Sequence, residues 1–98
     1  MARIVWTTRS VEDLDAIRNF IARDAPRTAD RFVRWVSSSV DQLDRFPFSG
    51  GVVHELNREN IREMVRGNYR VIYRASEELV EILRVFHSAR LFGERELN

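Results

Sequence analysis

Cysteine is absent from these 98 residues, which excludes disulfides, thiolate zinc sites and a cysteine nucleophile. Lysine is absent as well, so all 16 basic residues are arginine. Two readings of that bias stand side by side: codon usage in a GC-rich genome, and a use for guanidinium groups in bidentate phosphate or carboxylate contacts. Glycine and proline number only 4 and 2, too few for a disordered chain. No apolar run approaches the roughly 20 residues that span a bilayer, so no membrane association is expected. The start, Met1 to Trp6, is too short and too soon polar for a signal peptide, and a cytoplasmic location is the expectation. An excess of one sign of charge is also missing. Sixteen basic residues against 15 acidic ones give a net charge of +1, which argues against nucleic-acid binding by bulk electrostatics alone. Two histidines without cysteine, among scattered carboxylates, make no metal site, and no cofactor is expected.

What is present fits one α+β domain over residues 1–98, with no room for a second core. Arg3 to Thr7, rich in β-formers around Ile4 and Trp6, reads as a first strand. Ser10 then offers an N-cap, with Asp13 three residues on in capping-box spacing. Val11, Leu14, Ile17 and Ile21 follow at helical spacing, predicting a helix from about Val11 to Arg23. Asp24-Ala25-Pro26 breaks it, because proline suits the start of a new helix and not the interior of an old one. A second helix carries Ala29, Phe32, Val33, Val36, Val40 and Leu43 on one stripe and stops before Pro47. The short break makes the two helices an antiparallel hairpin, and a sheet should complete the core. After the turn-rich Phe46 to Gly51, Val52 to Leu56 reads as a short edge strand. Ile61–Arg66, Tyr69–Ala75 and Leu79–His87 read as three antiparallel strands, joined by hairpin turns at Gly67-Asn68 and Ser76-Glu77. A polar tail from Ser88 to Asn98 carries at most a helical turn.

With two-residue turns, Tyr69, Val71 and Tyr73 share a face with Met64, Val80, Ile82 and Phe86, and that face should receive the helices. The opposite face collects Glu63, Arg70, Arg74, Glu81 and His87, with Ile72, Leu83 and Val85 between them. A slip of one residue would scramble the assignment. No further element remains to cover this second face, so a partner is expected there. Arg70 and His87 would form a positively charged, phosphate-sized site on it. The competing reading is cross-strand pairing of Arg70 and Arg74 with Glu63, Glu77 or Glu81.

The run Tyr69-Arg70-Val71-Ile72-Tyr73-Arg74, an acidic turn, and Arg84-Val85-Phe86-His87-Ser88-Ala89-Arg90 resembles the C-terminal signature of the ParE toxins. Phe46 to Leu56 resembles the family's P-x-x-G-R-x-V-x-E-L stretch, and Ile61-Arg62-Glu63-Met64 its R-E-hydrophobic strand. Gly51 departs from the pattern, standing where the family often has arginine. The resemblance covers essentially the whole chain. It implies a ParE/RelE-like fold, with an N-terminal strand and a two-helix antiparallel hairpin packed on a small, mainly antiparallel β-sheet. It also implies the toxin of a type II toxin–antitoxin (plasmid stabilisation) system. Its partner would be a cognate acidic antitoxin, whose C-terminal segment folds on binding within a hetero-oligomer.

Two activities are implied by resemblance on this fold. ParE-like members poison DNA gyrase without a recognised catalytic set. RelE-like members cut messenger RNA on the ribosome, which needs a base, a cation for the phosphorane and an acid for the leaving oxygen. Arg70 stands where the nucleases use an arginine at the phosphate, and His87 is similar in place to the histidine some use as acid; Glu55 aligns weakly with a glutamate used as base. Against cleavage, the strand positions that carry lysine in RelE hold Arg62 and Met64 here, and no tyrosine follows His87. The gyrase reading is therefore preferred, with a message endoribonuclease and a non-toxic antitoxin-binding module as alternatives. Arg62, Arg70, Arg74, His87 and Arg90 are the candidate toxic face. Trp6, Trp35, Ile72, Leu83 and Val85 are the candidate antitoxin contacts. His54 reads as a solvated or capping residue. Ser37-Ser38-Ser39 has no histidine partner and is no nucleophile.

Overall fold

The computed structural model describes residues 1–97, so Asn98, the end of the expected tail, lies outside the described residues. Strand β1 (Arg3–Trp6) leads into α1 (Thr8–Ala22) and α2 (Pro26–Asp41), which continues into a 3-10 turn over Gln42–Asp44. Four further strands follow: β2 (Gly51–Val52), β3 (Ile61–Arg66), β4 (Tyr69–Ala75) and β5 (Leu79–His87), and the last 3-10 turn spans Glu94–Leu97. The sheet order is β1-β5-β4-β3-β2. All neighbours are antiparallel except β1 and β5, which run parallel with Arg3 opposite Leu79 and Trp6 opposite Ile82. This is the expected α+β arrangement, with the helical hairpin on one face of a mainly antiparallel sheet.

The start of α1 corrects the expected cap. Thr7, not Ser10, stands at the N-cap, its side chain accepting from the Ser10 N–H at 3.2 Å. Ser10 is buried one turn in, donating its hydroxyl to the Thr7 carbonyl. Thr7 is fixed there because its own hydroxyl donates to the Ile82 carbonyl at 2.7 Å, tying the cap to the central strand. Pro26 opens α2, where its missing N–H costs nothing. Between the helices and the sheet lies the larger core, built on Phe32, Val36, Val40, Leu43, Met64, Val71, Tyr73, Val80 and Ile82. The edge strand is shorter than expected. After Val52 the chain turns, Leu56 and Asn57 both donating to the Val53 carbonyl, and Asn57 takes a left-handed φ of 52°.

The faces of β5 are the main correction. The turn falls at Glu77-Glu78 and not at Ser76-Glu77, with the Ser76 N–H donating to the Leu79 carbonyl. The register therefore moves by two residues and the expected faces survive up to Ile82, with Val80 opposite Ala75 and Ile82 opposite Tyr73. A β-bulge then intervenes, so that Ile72 pairs with Arg84 and Val71 with Val85. One extra residue inverts side-chain parity for the rest of the strand. Val85 therefore joins the helix-side core, while Phe86, expected there, turns to the reverse face. Nor is that reverse face open. Val53, Ile61, Ile72, Leu83, Phe86 and Phe92 form a second core upon it, with Leu56 and Leu97 packed alongside. The expectation that a partner must cover this face failed because the β2–β3 loop and the C-terminal segment both fold back over it.

Candidate functional site

Arg70 is the residue on which the expected phosphate site rests, and the fold surrounds it with carboxylates. It is 5% exposed. Its Nε donates to Glu63 at 2.6 Å, and its Nη1 and Nη2 grip both oxygens of Glu55 at 2.7 and 2.9 Å. Nη1 also donates to the Arg90 carbonyl at 2.9 Å. Two hydrogen bonds in parallel make the Glu55 pair the stronger of the two. Glu55 reaches inward because the turn after Val53 aims it under the sheet, and it further accepts the Phe92 N–H at 3.0 Å. The guanidinium of Arg70 holds the Glu55 carboxyl down at about 2, assisted by the Phe92 N–H and opposed by burial. The Arg70 pKa is raised in turn, first by the Glu55 hydrogen bond and then by Glu63, against burial.

A sign follows for stability. Glu55 is depressed in the folded chain, so its contribution is complete above its ordinary value of 4.5 and is lost as pH falls from there towards 2. We expect Glu55→Gln to flatten the acid limb of the stability profile between those limits, measured by urea unfolding at stepped pH. An acid limb identical to that of the parent chain would remove Glu55 from the account.

A second buried arginine extends this network. Arg84, the residue opposite Ile72 at the bulge, donates through Nε and Nη2 to Asp13 of α1 at 2.7 and 3.2 Å, and through Nη1 to Glu96. Asp13 also accepts the Val85 N–H at 3.0 Å, next to the bulge. Asp13, expected in a capping box, is thus the tether between helix and central strand. The Asp13 hydrogen bond raises the Arg84 pKa, with burial opposing. Arg90 completes the chain of charges through Glu96 at 2.9 Å. The Phe86 ring lies beneath all three guanidiniums, at 5.7, 5.6 and 4.8 Å from Arg70, Arg84 and Arg90. Sequence reasoning missed Arg84, Asp13 and Glu96 as a unit, because the link joins α1, β5 and the tail with no local spacing to mark it.

His87 lies elsewhere. The bulge places it opposite Tyr69 on the helix side, with the two rings edge to face at 5.9 Å, and Tyr69 in turn meets Phe32 at 5.2 Å. Its Nδ1 accepts the Ala89 N–H at 3.1 Å, which leaves the proton of a neutral ring on Nε2. Arg70 and His87 are therefore on opposite faces of the sheet, and the expected joint site is not assembled. Of the remaining candidates, Arg62 clamps the β2 loop, donating to the carbonyls of Phe48, Gly50 and Glu59, and Arg74 pairs with Glu81 at 3.2 Å. Among the proposed antitoxin contacts, Ile72, Leu83 and Val85 are buried inside this chain and unavailable, and Trp6 is packed against the larger core. Trp35 alone of these is open, at 49% exposed.

The model of the ParE toxin family of type II toxin–antitoxin systems, parDE, matches residues 4–92. The chain belongs to that family. Among curated relatives, this ParE-family chain is similar to toxin RelE2 of Caulobacter vibrioides, 35% identical over 91 residues that cover 93% of this chain and 100% of the relative. Among solved structures it is similar to a chain of the chromosomal ParDE system of P. aeruginosa. That match has a TM-score of 0.72 and 22% identity, over 89% of this chain and 96% of the other. It is also similar to a chain of the RelBE2 toxin–antitoxin complex of Mycobacterium tuberculosis, with a TM-score of 0.58 and 30% identity over 91% and 93% of the two chains. No helix among the described residues is long and apolar enough to cross a membrane.

Proposed function

We propose that this toxin arrests bacterial growth in the cytoplasm by binding and poisoning DNA gyrase, and that a cognate acidic antitoxin neutralises it. The observation that carries the preference is the sequestration of Arg70. Its guanidinium is saturated by two carboxylates and a carbonyl on the buried reverse face, and His87 stands on the other side of the sheet. Message cleavage needs a base, an acid and a free cation converging on one phosphate, and these residues do not converge. A toxin that works by binding needs no such convergence. The nuclease reading keeps two supports, the 35% identity to a protein named toxin RelE2 and the 30% identity to a chain of the RelBE2 complex.

Induced expression without the antitoxin should halt growth, with a DNA-damage response and loss of supercoiling by purified gyrase while translation continues. Rapid loss of translation, with messages cut at ribosome-bound codons and rescued by His87→Ala, would reverse the preference. Unimpeded growth at confirmed soluble expression would leave a non-toxic antitoxin-binding module.

A further inference from the structure

Helix α2 has an outward face that does not serve its own stability. Arg27, Arg31 and Arg34 recur at intervals of four and three residues, so they lie in one row on the side away from the core. None of the three forms an ion pair among the described residues; Asp30, the acid nearest in sequence, is taken by Arg18 of α1 at 3.3 Å. Among the described residues Arg31 donates only to Thr28. Arg27 occupies the second position of the helix, whose first turn has no acidic residue and whose N-cap, Ala25, makes no side-chain cap. A cation there opposes the helix dipole. A row chosen for stability would carry acids at that end.

Beside the row lies the one expected antitoxin contact that the fold leaves open. Trp35, half-exposed, packs over the turn at Gly67, within 3.7 Å of where a Cβ would stand. With Thr28, Arg31 and Phe32 it lines an apolar recess of about 380 Å³. Three unpaired guanidiniums flank a recess that would take one large apolar side chain. The charge complement of that surface is an acidic peptide with an apolar anchor. A nucleic acid would use the arginines but leave the recess unfilled, and the near-neutral whole chain, at net +1, lacks the general attraction such binding relies on.

We propose that the outward face of α2 is the docking surface for an acidic segment of the antitoxin, with Arg27, Arg31 and Arg34 holding its carboxylates and Trp35 receiving an apolar side chain. This rests on the toxin reading above and names where its partner binds.

The test titrates the toxin with the product of the adjacent gene, expected to be a small acidic protein, following Trp fluorescence and salt dependence. Arg31→Glu with Arg34→Glu should weaken binding by about 30-fold or more and flatten its salt dependence, and Trp35→Ala should weaken it at least about tenfold. Arg45→Glu, beyond the far end of α2, should stay within about twofold. Arg27→Glu separates a contact from a structural role: it should raise the melting temperature yet weaken binding. Affinities of the double reversal and of Trp35→Ala within about threefold of the parent would overturn the proposal. So would a short DNA duplex bound by the parent and lost by the double reversal while the acidic protein binds both alike. If the acidic protein fails to bind the parent chain at all, the antitoxin reading itself falls, and this surface with it.

Discussion

Arg70→Ala should cost this chain about 3–5 kcal/mol, because it strips the counter-charge from two carboxylates that remain under the sheet. Glu55 and Glu63 have side chains only 12% and 18% exposed, and both are bound to that one guanidinium. A domain of this size is stable by roughly 5–15 kcal/mol in total, so the melting temperature should fall by roughly 15–30 °C. Loss of toxicity in this variant would therefore say little about the target. The triple substitution Arg70→Met, Glu55→Gln, Glu63→Gln separates the two roles. Removing all three charges together should recover most of the stability, since a buried ion pair contributes little more than neutral groups of the same shape. If toxicity returns with the fold, Arg70 is structural. If the triple variant melts near the parent temperature but is harmless, Arg70 acts on the target, and the nuclease reading regains its cation.

Phe92→Ala should be as damaging, at about 3–5 kcal/mol. The residue lies in a tail whose composition reads as polar, yet it is 1% exposed and meets Phe86 at 5.9 Å between ring centroids. Its backbone N–H also caps Glu55, so the cavity would open beside the ion network and loosen the hold of the tail on the sheet. Denaturant unfolding measures the loss, and binding of a hydrophobic dye reports exposure of Ile72 and Leu83. Phe20→Ala is the comparison: that ring is 65% exposed on α1, and its removal should stay within about 0.5 kcal/mol. A Phe92→Ala cost below about 1 kcal/mol would mean that the tail does not seal the second core.

The helical hairpin and the three long strands were legible because their apolar residues repeat at 3.6 and 2.0, and because Pro26 and Gly67-Asn68 punctuate them locally. What the sequence hid has a common cause. The bulge in β5 carries no glycine or other signal, and it moved Val85, Phe86 and His87 to faces opposite those that strict alternation assigns. Asp13 looked like a capping residue since Ser10 stood three positions before it; its real partner, Arg84, is 71 positions away. Phe92 stood beside Leu91 in an otherwise polar tail, with no periodicity to show which of the two is buried or which core it fills. Family membership, by contrast, was readable from residues in order along the chain, and it held although the argument for an open reverse face did not. The candidate site fared worst, because burial and pairing decide what an arginine can do, and neither is written in its spacing.

The parallel pairing of β1 with β5 joins the beginning of the chain to its penultimate stretch, with Arg3 beside Leu79. During synthesis the first strand has no neighbour in the sheet until β5 has left the ribosome, and the closure that follows is among the slower kinds of contact to form. A nascent copy thus holds its first strand unpaired, and its sheet unclosed, until β5 has emerged.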